Sequence, residues 1–172
     1  MGIGAAVEVA EKANFVARVN ITNVTDLDGC NYDVSYNAAV LEVTHVTSAV
    51  ISGTVIPVSS WGFVPSGIQG TARVIQNVPG VPGVTGSGYL AEIHFHIIGS
   101  PGNTSALDLS NGIVGDKNAH GIPATCSDGS VRVGGASEAV AASAPPPAAP
   151  TIEQSTSPPQ PASVPEEAQP PN

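Results

Sequence analysis

The stretch Val19–Val43, VNITNVTDLDGCNYDVSYNAAVLEV, decides the fold. It reads as two short β-strands joined by a polar turn, then Tyr36-Asn37, then Val40-Leu41-Glu42-Val43 stepping into a third strand. In the middle strand Cys30, Tyr32, Val34 and Tyr36 fall on one side, with Asn31, Asp33 and Ser35 on the other. A period of two with one apolar and one polar side is the pattern of a strand half buried in a sheet. The polar side is the one that a partner of such a sheet would meet.

Outward from this stretch the same texture continues. Strand patterns fall at Ala6–Val9, Asn14–Asn20, Cys30–Tyr36, Leu41–Val46, Thr54–Val58, Ala72–Asn77, Tyr89–Ile98, Ser105–Leu109 with a continuation near Ile113, and Ser130–Val133. In the strongest of these, Tyr89, Ala91, Ile93, Phe95 and Ile97 point one way and Glu92, His94 and His96 the other. Short strands at this spacing, with Gly, Pro, Asn and Asp between them, predict an all-β two-sheet sandwich over residues 5–134. Beyond it, residues 135–172 hold 10 of the 16 prolines and no aromatic residue. Proline fixes φ and removes a backbone donor, so this segment is expected to be a disordered, extended linker.

Charge narrows the class of function. There are 14 acids against 5 Lys and Arg, a net charge of −9. Phosphate backbones and anionic membrane surfaces need clustered cations, so nucleic acid and membrane surfaces are excluded as partners. No apolar run reaches the roughly 18 residues of a spanning helix, and no membrane insertion is expected. Met1-Gly2 is followed by IGAAVEVAEK, which lacks the basic and apolar regions of a signal peptide. The expectation is a module excised from a longer exported chain.

Few residues offer catalysis. No Gly-x-Ser-x-Gly elbow and no His-Glu-x-x-His pair occurs, and the chain is not expected to be an enzyme. His94 and His96 share one strand face, about the geometry of a metal pair, but no third ligand is evident unless His45, Glu92 or His120 approaches in space; the expectation is two solvated or cross-strand-paired histidines and no metal. Asp108, Asn111, Asp116 and Asn118 are oxygen donors, but their spacing is that of turns rather than of a calcium loop. Polysaccharide binding would need coplanar exposed rings. Only Trp61 and Phe63 are available for it if Tyr32, Tyr36 and Tyr89 face inward, and Trp61 is itself expected to pack on the core. Asn-x-Ser/Thr triplets at Asn20, Asn23 and Asn103 are assigned no role.

The order of these segments resembles one family. VNITNVTDLDGCNYDVSYNAAVLEV, then GSGYLAEIHFHIIG, then SALDLSNGIVGDKN, then SDGSVRV look like successive signatures of a cohesin module, across residues 7–133. The resemblance implies a nine-stranded jelly-roll β-sandwich that binds dockerin modules in extracellular or cell-surface assemblies, with calcium in the dockerin and no cofactor here. It implies a contact face built from the third, fifth, sixth and eighth strands. Carried onto this chain, that face takes Gly29, Asn31, Asp33 and Ser35 from the third strand. Arg73, Ile75 and Asn77 come from the sixth, and Leu109, Asn111 and Asp116 from the eighth. Many cellulosomal members carry Asn and Asp where this chain has Gly29 and Asn31. An even cysteine pair in an exported protein suggests a disulfide. Family topology brings the third strand near the eighth region, so Cys30–Cys126 is the candidate bridge, with two separate thiols as the alternative.

Overall fold

The protein was analysed as a computed structural model that describes residues 1–4, 7–78, 80 and 83–135. Ala6 and the expected linker from residue 136 onward lie outside the described residues. The strands are β1 (Gly2–Ile3), β2 (Val7–Ala10), β3 (Asn14–Tyr36), β4 (Leu41–Ile51), β5 (Thr54–Ile56), β6 (Val58–Phe63), β7 (Thr71–Asn77), β8 (Val84–Ile97), β9 (Thr104–Asp116) and β10 (Gly129–Gly134). Among the described residues there is no helix.

Hydrogen bonding runs β2–β10–β9–β3–β8–β4–β5, with β1 on β3, β7 on β3 and β6 on β7. One strand makes this continuous. The first half of β3 pairs with β8, and its second half, Gly29–Ser35, lies between β7 and β9. The sheet therefore curls over itself into the jelly-roll sandwich, with β3 belonging to both layers. At the far margin β2 joins β10 in parallel, Val7 to Ala10 against Val131 to Gly134; the other strand pairs are antiparallel.

The polar turn expected between Asn20 and Cys30 is instead a bend within β3. Register shifts lie between Ile21 and Val24 and between Val24 and Leu27. Asn23 and Asp26 take left-handed φ of 52° and 54°, a conformation that Asn and Asp tolerate better than most residues. Their backbone N–H groups, lost to the ladder, donate to Ser87 Oγ at 2.9 Å and Thr85 Oγ1 at 3.0 Å on β8. Two successive bulges change the inward period from two to three, so Ile21, Val24, Leu27 and Cys30 are all buried. Bulges of this kind bend a strand and raise its twist, which is how β3 passes from one layer to the other.

A bulge also corrects the reading of β8. Val19 pairs with Ala91 but Asn20 with Tyr89, so Leu90 is skipped. Leu90 and Ala91 both turn inward, and Tyr89, expected in the core, is 44% exposed, with the Arg18 guanidinium 5.4 Å from its ring centre. Trp61 and Phe63 pack partly buried against the core, as expected of Trp61.

The core is mostly apolar, and one of its buried polar side chains spans the two layers. Gln76, on β7, is fully buried. Its Nε2 donates to Leu90 O at 2.7 Å and Ile56 O at 3.2 Å, across the sandwich. Its Oε1 accepts from Tyr32 OH at 3.1 Å and Cys30 Sγ at 3.6 Å, on its own side. The carbonyl freed by the β8 bulge is thus satisfied from the opposite layer. Gln69 makes a second link: its amide bonds both Val43 N and Val43 O at 3.2 Å and accepts from the Tyr36 hydroxyl.

The candidate Cys30–Cys126 bridge is not formed, and both thiols are free, the alternative that the sequence left open. Cys30 points between the layers towards Gln76, whereas Cys126 lies on the exterior next to Gly112. Burial pushes the Cys30 thiol up to about 12, so it stays protonated. Ellman titration of the native protein is expected to return one reactive thiol, Cys126, and two after denaturation; no reactive thiol in the denatured, unreduced chain would show a bridge. Replacing Gln76 by Leu strands two buried carbonyls and a tyrosine hydroxyl. Urea unfolding of Gln76→Leu is expected to show a loss of about 2–4 kcal/mol, and an unchanged midpoint would show that the amide is dispensable.

Candidate functional site

The outer surface of the β9–β3–β7 layer carries most of the residues that the sequence singled out. Register sets them in rows across the three strands. Asn77, Gly29 and Gly115 form the first, and Ile75, Asn31 and Ile113 the second. Arg73, Asp33 and Ser110 form the third, and Thr71, Ser35 and Asp108 the fourth.

The first two rows shape a shallow depression of about 280 Å³ with Asp116 at its rim. A β-carbon at Gly29 would meet Asn77 Oδ1 at 3.0 Å and Gln76 O at 3.1 Å. The Asn77 amide therefore occupies the space that a side chain at position 29 would need. In the second row Ile75 is 40% and Ile113 63% exposed, on either side of Asn31. Two bare isoleucines flanking an amide are an apolar pair with a polar centre.

The third row is locked. Arg73 Nε and Nη2 each donate to an Asp33 carboxylate oxygen at 2.7 Å, a bidentate pair. Asn111 Nδ2 adds a bond of 2.9 Å to Asp33 Oδ2 from the other side. Asp33, expected to project outward to a partner, does lie on this face but is only 3% exposed, because its two neighbours close over it. The Arg73 hydrogen bonds hold its carboxyl below the usual carboxylate range; burial opposes this, and the Asn111 amide adds to the lowering. In the fourth row Ser35 and Thr71 hydroxyls bond each other at 3.0 Å.

Two expectations on β9 need adjustment. Leu109 is not on this face: it sits opposite Val34 and is 4% exposed, part of the core. A register shift opposite Asn31 and Asp33 leaves Asn111 and Gly112 without partners on β3. That bulge, with Asn111 at φ 52°, is what brings both Asn111 and Ile113 to the outside. Asp116 uses Oδ1 to accept from Asn118 N and His120 N at 2.8 Å, closing its own turn. Asp116 and Asn118 thus close one turn, while Asn111 is engaged with Asp33 and Asp108 lies opposite Ser35. Ile113 was named in the sequence only as a strand continuation; its exposure was hidden by the bulge.

On the opposite layer His45 does approach His94, but as a stacked ring, 3.8 Å between centres and 15° between planes. His94 Nε2 bonds Thr47 and His96 Nδ1 bonds Asn14. Burial and the facing His45 lower the His94 pKa, with Glu92 opposing. Among the described residues no three His, Cys, Asp or Glu gather as a metal site.

This fold and face have relatives. The profile described as Cohesin domain matches residues 3–133, and the chain belongs to that family. No curated protein matches it. Among solved structures it is similar to a non-cellulosomal cohesin from the hyperthermophilic archaeon Archaeoglobus fulgidus. That match has 20% identity and a TM-score of 0.61, over 77% of this chain and 88% of that one. It is also similar to the type I cohesin–dockerin complex of OlpC from Clostridium thermocellum, at 14% identity and TM-score 0.64, covering 78% and 92%.

The Asp33 cluster has a pH signature. A carboxylate with a lowered native pKa contributes stability above its unfolded pKa and loses it as pH falls through the native value. Below about pH 4 the wild type is expected to lose stability progressively. Asp33→Asn is expected to unfold more easily at neutral pH, by about 1–3 kcal/mol, and to flatten that acid limb in chemical denaturation. Parallel acid limbs for the two proteins would show that the pair is not coupled to folding.

Proposed function

We propose that this chain is a non-catalytic recognition module that binds a dockerin-type partner on the outer β9–β3–β7 face, within an extracellular or cell-surface assembly. Family membership and its cohesin–dockerin neighbours support the class of partner. The observation that carries the site is the Ile75–Asn31–Ile113 row, exposed on a face whose other polar groups are mostly tied to one another. Apolar anchors around a hydrogen-bonding centre are the usual energetic core of a protein contact. The Arg73–Asp33–Asn111 lock holds the face rigid before binding, so little ordering entropy is lost on association.

Strand spacing sets the partner's dimensions. Three adjacent strands put the isoleucines about 10 Å apart. A helix rising 1.5 Å per residue covers that in about seven residues. Side chains at i and i+7 would seat on Ile75 and Ile113, and i+3 or i+4 would face Asn31. With Gly29 and Asn31 where many cellulosomal cohesins have Asn and Asp, this centre has an amide and no carboxylate. It suits a neutral Ser, Thr or Asn better than Lys or Arg. Calcium belongs to the partner's loops in this reading.

A flat sugar surface finds less to hold. Trp61 and Phe63 meet at 86° and pack on the core, so their rings are not coplanar, and the exposed Tyr89 ring has the Arg18 guanidinium over it.

Calorimetry against a panel of calcium-loaded dockerins tests the proposal. Binding is expected for at least one, to vanish on chelation, and to weaken by about tenfold or more in Ile113→Glu and Ile75→Glu, with both variants retaining the wild-type unfolding midpoint. Binding indifferent to both substitutions would move the site elsewhere, and no binding across the panel would remove the partner class.

A further inference from the structure

The β9 bulge carries a chemistry of its own. Asn111 is followed by Gly112, the one Asn-Gly pair in the chain. Both residues fall outside the β3–β9 register. Asn111 is exposed, and its backbone is left-handed at φ 52°. Gly112 has no side chain to hinder its own nitrogen. Asn14, Asn20, Asn23, Asn31, Asn37, Asn77, Asn103 and Asn118 each precede a bulkier residue.

We propose that Asn111 is a self-modification site, converting to aspartate or isoaspartate in the folded protein. The Gly112 amide nitrogen bonds to the Asn111 side-chain carbonyl carbon while the bond from that carbon to Nδ2 breaks. The proton given up by Gly112 N–H leaves with the departing nitrogen as ammonia. Water then opens the five-membered imide at either carbonyl, giving aspartate or isoaspartate. No oxidant or cofactor takes part.

The consequence falls on the binding face, and to that extent rests on the function proposed above. Asn111 Nδ2 now donates 2.9 Å to Asp33 Oδ2. After conversion a carboxylate oxygen stands in place of that donor. Two carboxylates then face one guanidinium, around a side chain that is already closed off from water. Isoaspartate adds a methylene to the main chain two residues before Ile113, moving the anchor that the bulge holds outward. The module would thus carry a clock that weakens its grip with age.

The test holds purified protein at mildly alkaline pH and physiological temperature and maps residue 111 by mass spectrometry with isoaspartate detection. Native wild type is expected to convert, with Gly112→Ala slower by about tenfold because its methyl group hinders the closure. The new methyl meets only the Met1 side-chain tip and Cys126 Sγ, and the flexible Met1 end is able to yield. Should Gly112→Ala not fold, Asn111→Gln is the control and is expected to remain unchanged at this position. Conversion confined to denatured protein, or equal in wild type and the folded control, overturns the proposal. Asn111→Asp is expected to weaken capture of a calcium-loaded dockerin by about tenfold; wild-type affinity there would overturn the effect on the face. A wild type that captures no dockerin instead overturns the binding reading and leaves the mapping result standing.

Discussion

Two sheets that meet only through apolar side chains can slide; a buried amide that reaches across fixes them. Gln76 ties β7 to Leu90 on β8 and Ile56 on β5, while holding Tyr32 and Cys30 on its own layer. Low local dielectric makes such a network strong when every member is satisfied and costly when one is not. No buried side-chain nitrogen or oxygen among the described residues lacks a partner. The face opposite Gln76 inherits this rigidity, since Ile75 and Asn77 are its immediate neighbours on β7. The register that aligns Ile75, Asn31 and Ile113 is therefore set from inside the core.

Strand alternation carried much of this into the sequence. Cys30, Tyr32, Val34 and Tyr36 face inward as their period of two requires, because that half of β3 pairs without interruption against β7. The failures share one cause. The segment between Asn20 and Cys30 looked like a turn and Tyr89 like core because a bulge inserts a residue and inverts every parity beyond it, and Leu109, carried to the surface by family resemblance, is turned inward beside another bulge. A spacing of three among Ile21, Val24, Leu27 and Cys30, with Asn and Asp between them, was the available signal. The closure of Arg73 and Asn111 over Asp33 had none, since it depends on a left-handed residue in another strand. The thiols illustrate a different limit: strand proximity was legible, but not that Cys30 is buried against Gln76 while Cys126 is exposed beside Gly112.

The site divides labour among its rows. The ion pair of Arg73 and Asp33 is half exposed on the arginine side, so its direct contribution to stability is modest. Its larger effect is to spend the strongest charges of the face on each other. What remains at the centre of the face is the apolar pair around Asn31, with Asn77, Ser110 and Asp108 exposed around it, so specificity there rests on shape more than on attraction at a distance.

The parallel pairing of β2 with β10 bears on mechanics. Both strands run the same way, so the chain entering β2 and the chain leaving β10 depart from opposite ends of the pair. Tension applied across this pair acts on it in shear. All four residue pairs, from Val7–Val131 to Ala10–Gly134, share the load at once instead of opening singly as a zipper does. A pull routed through this pair is thus met along its whole length.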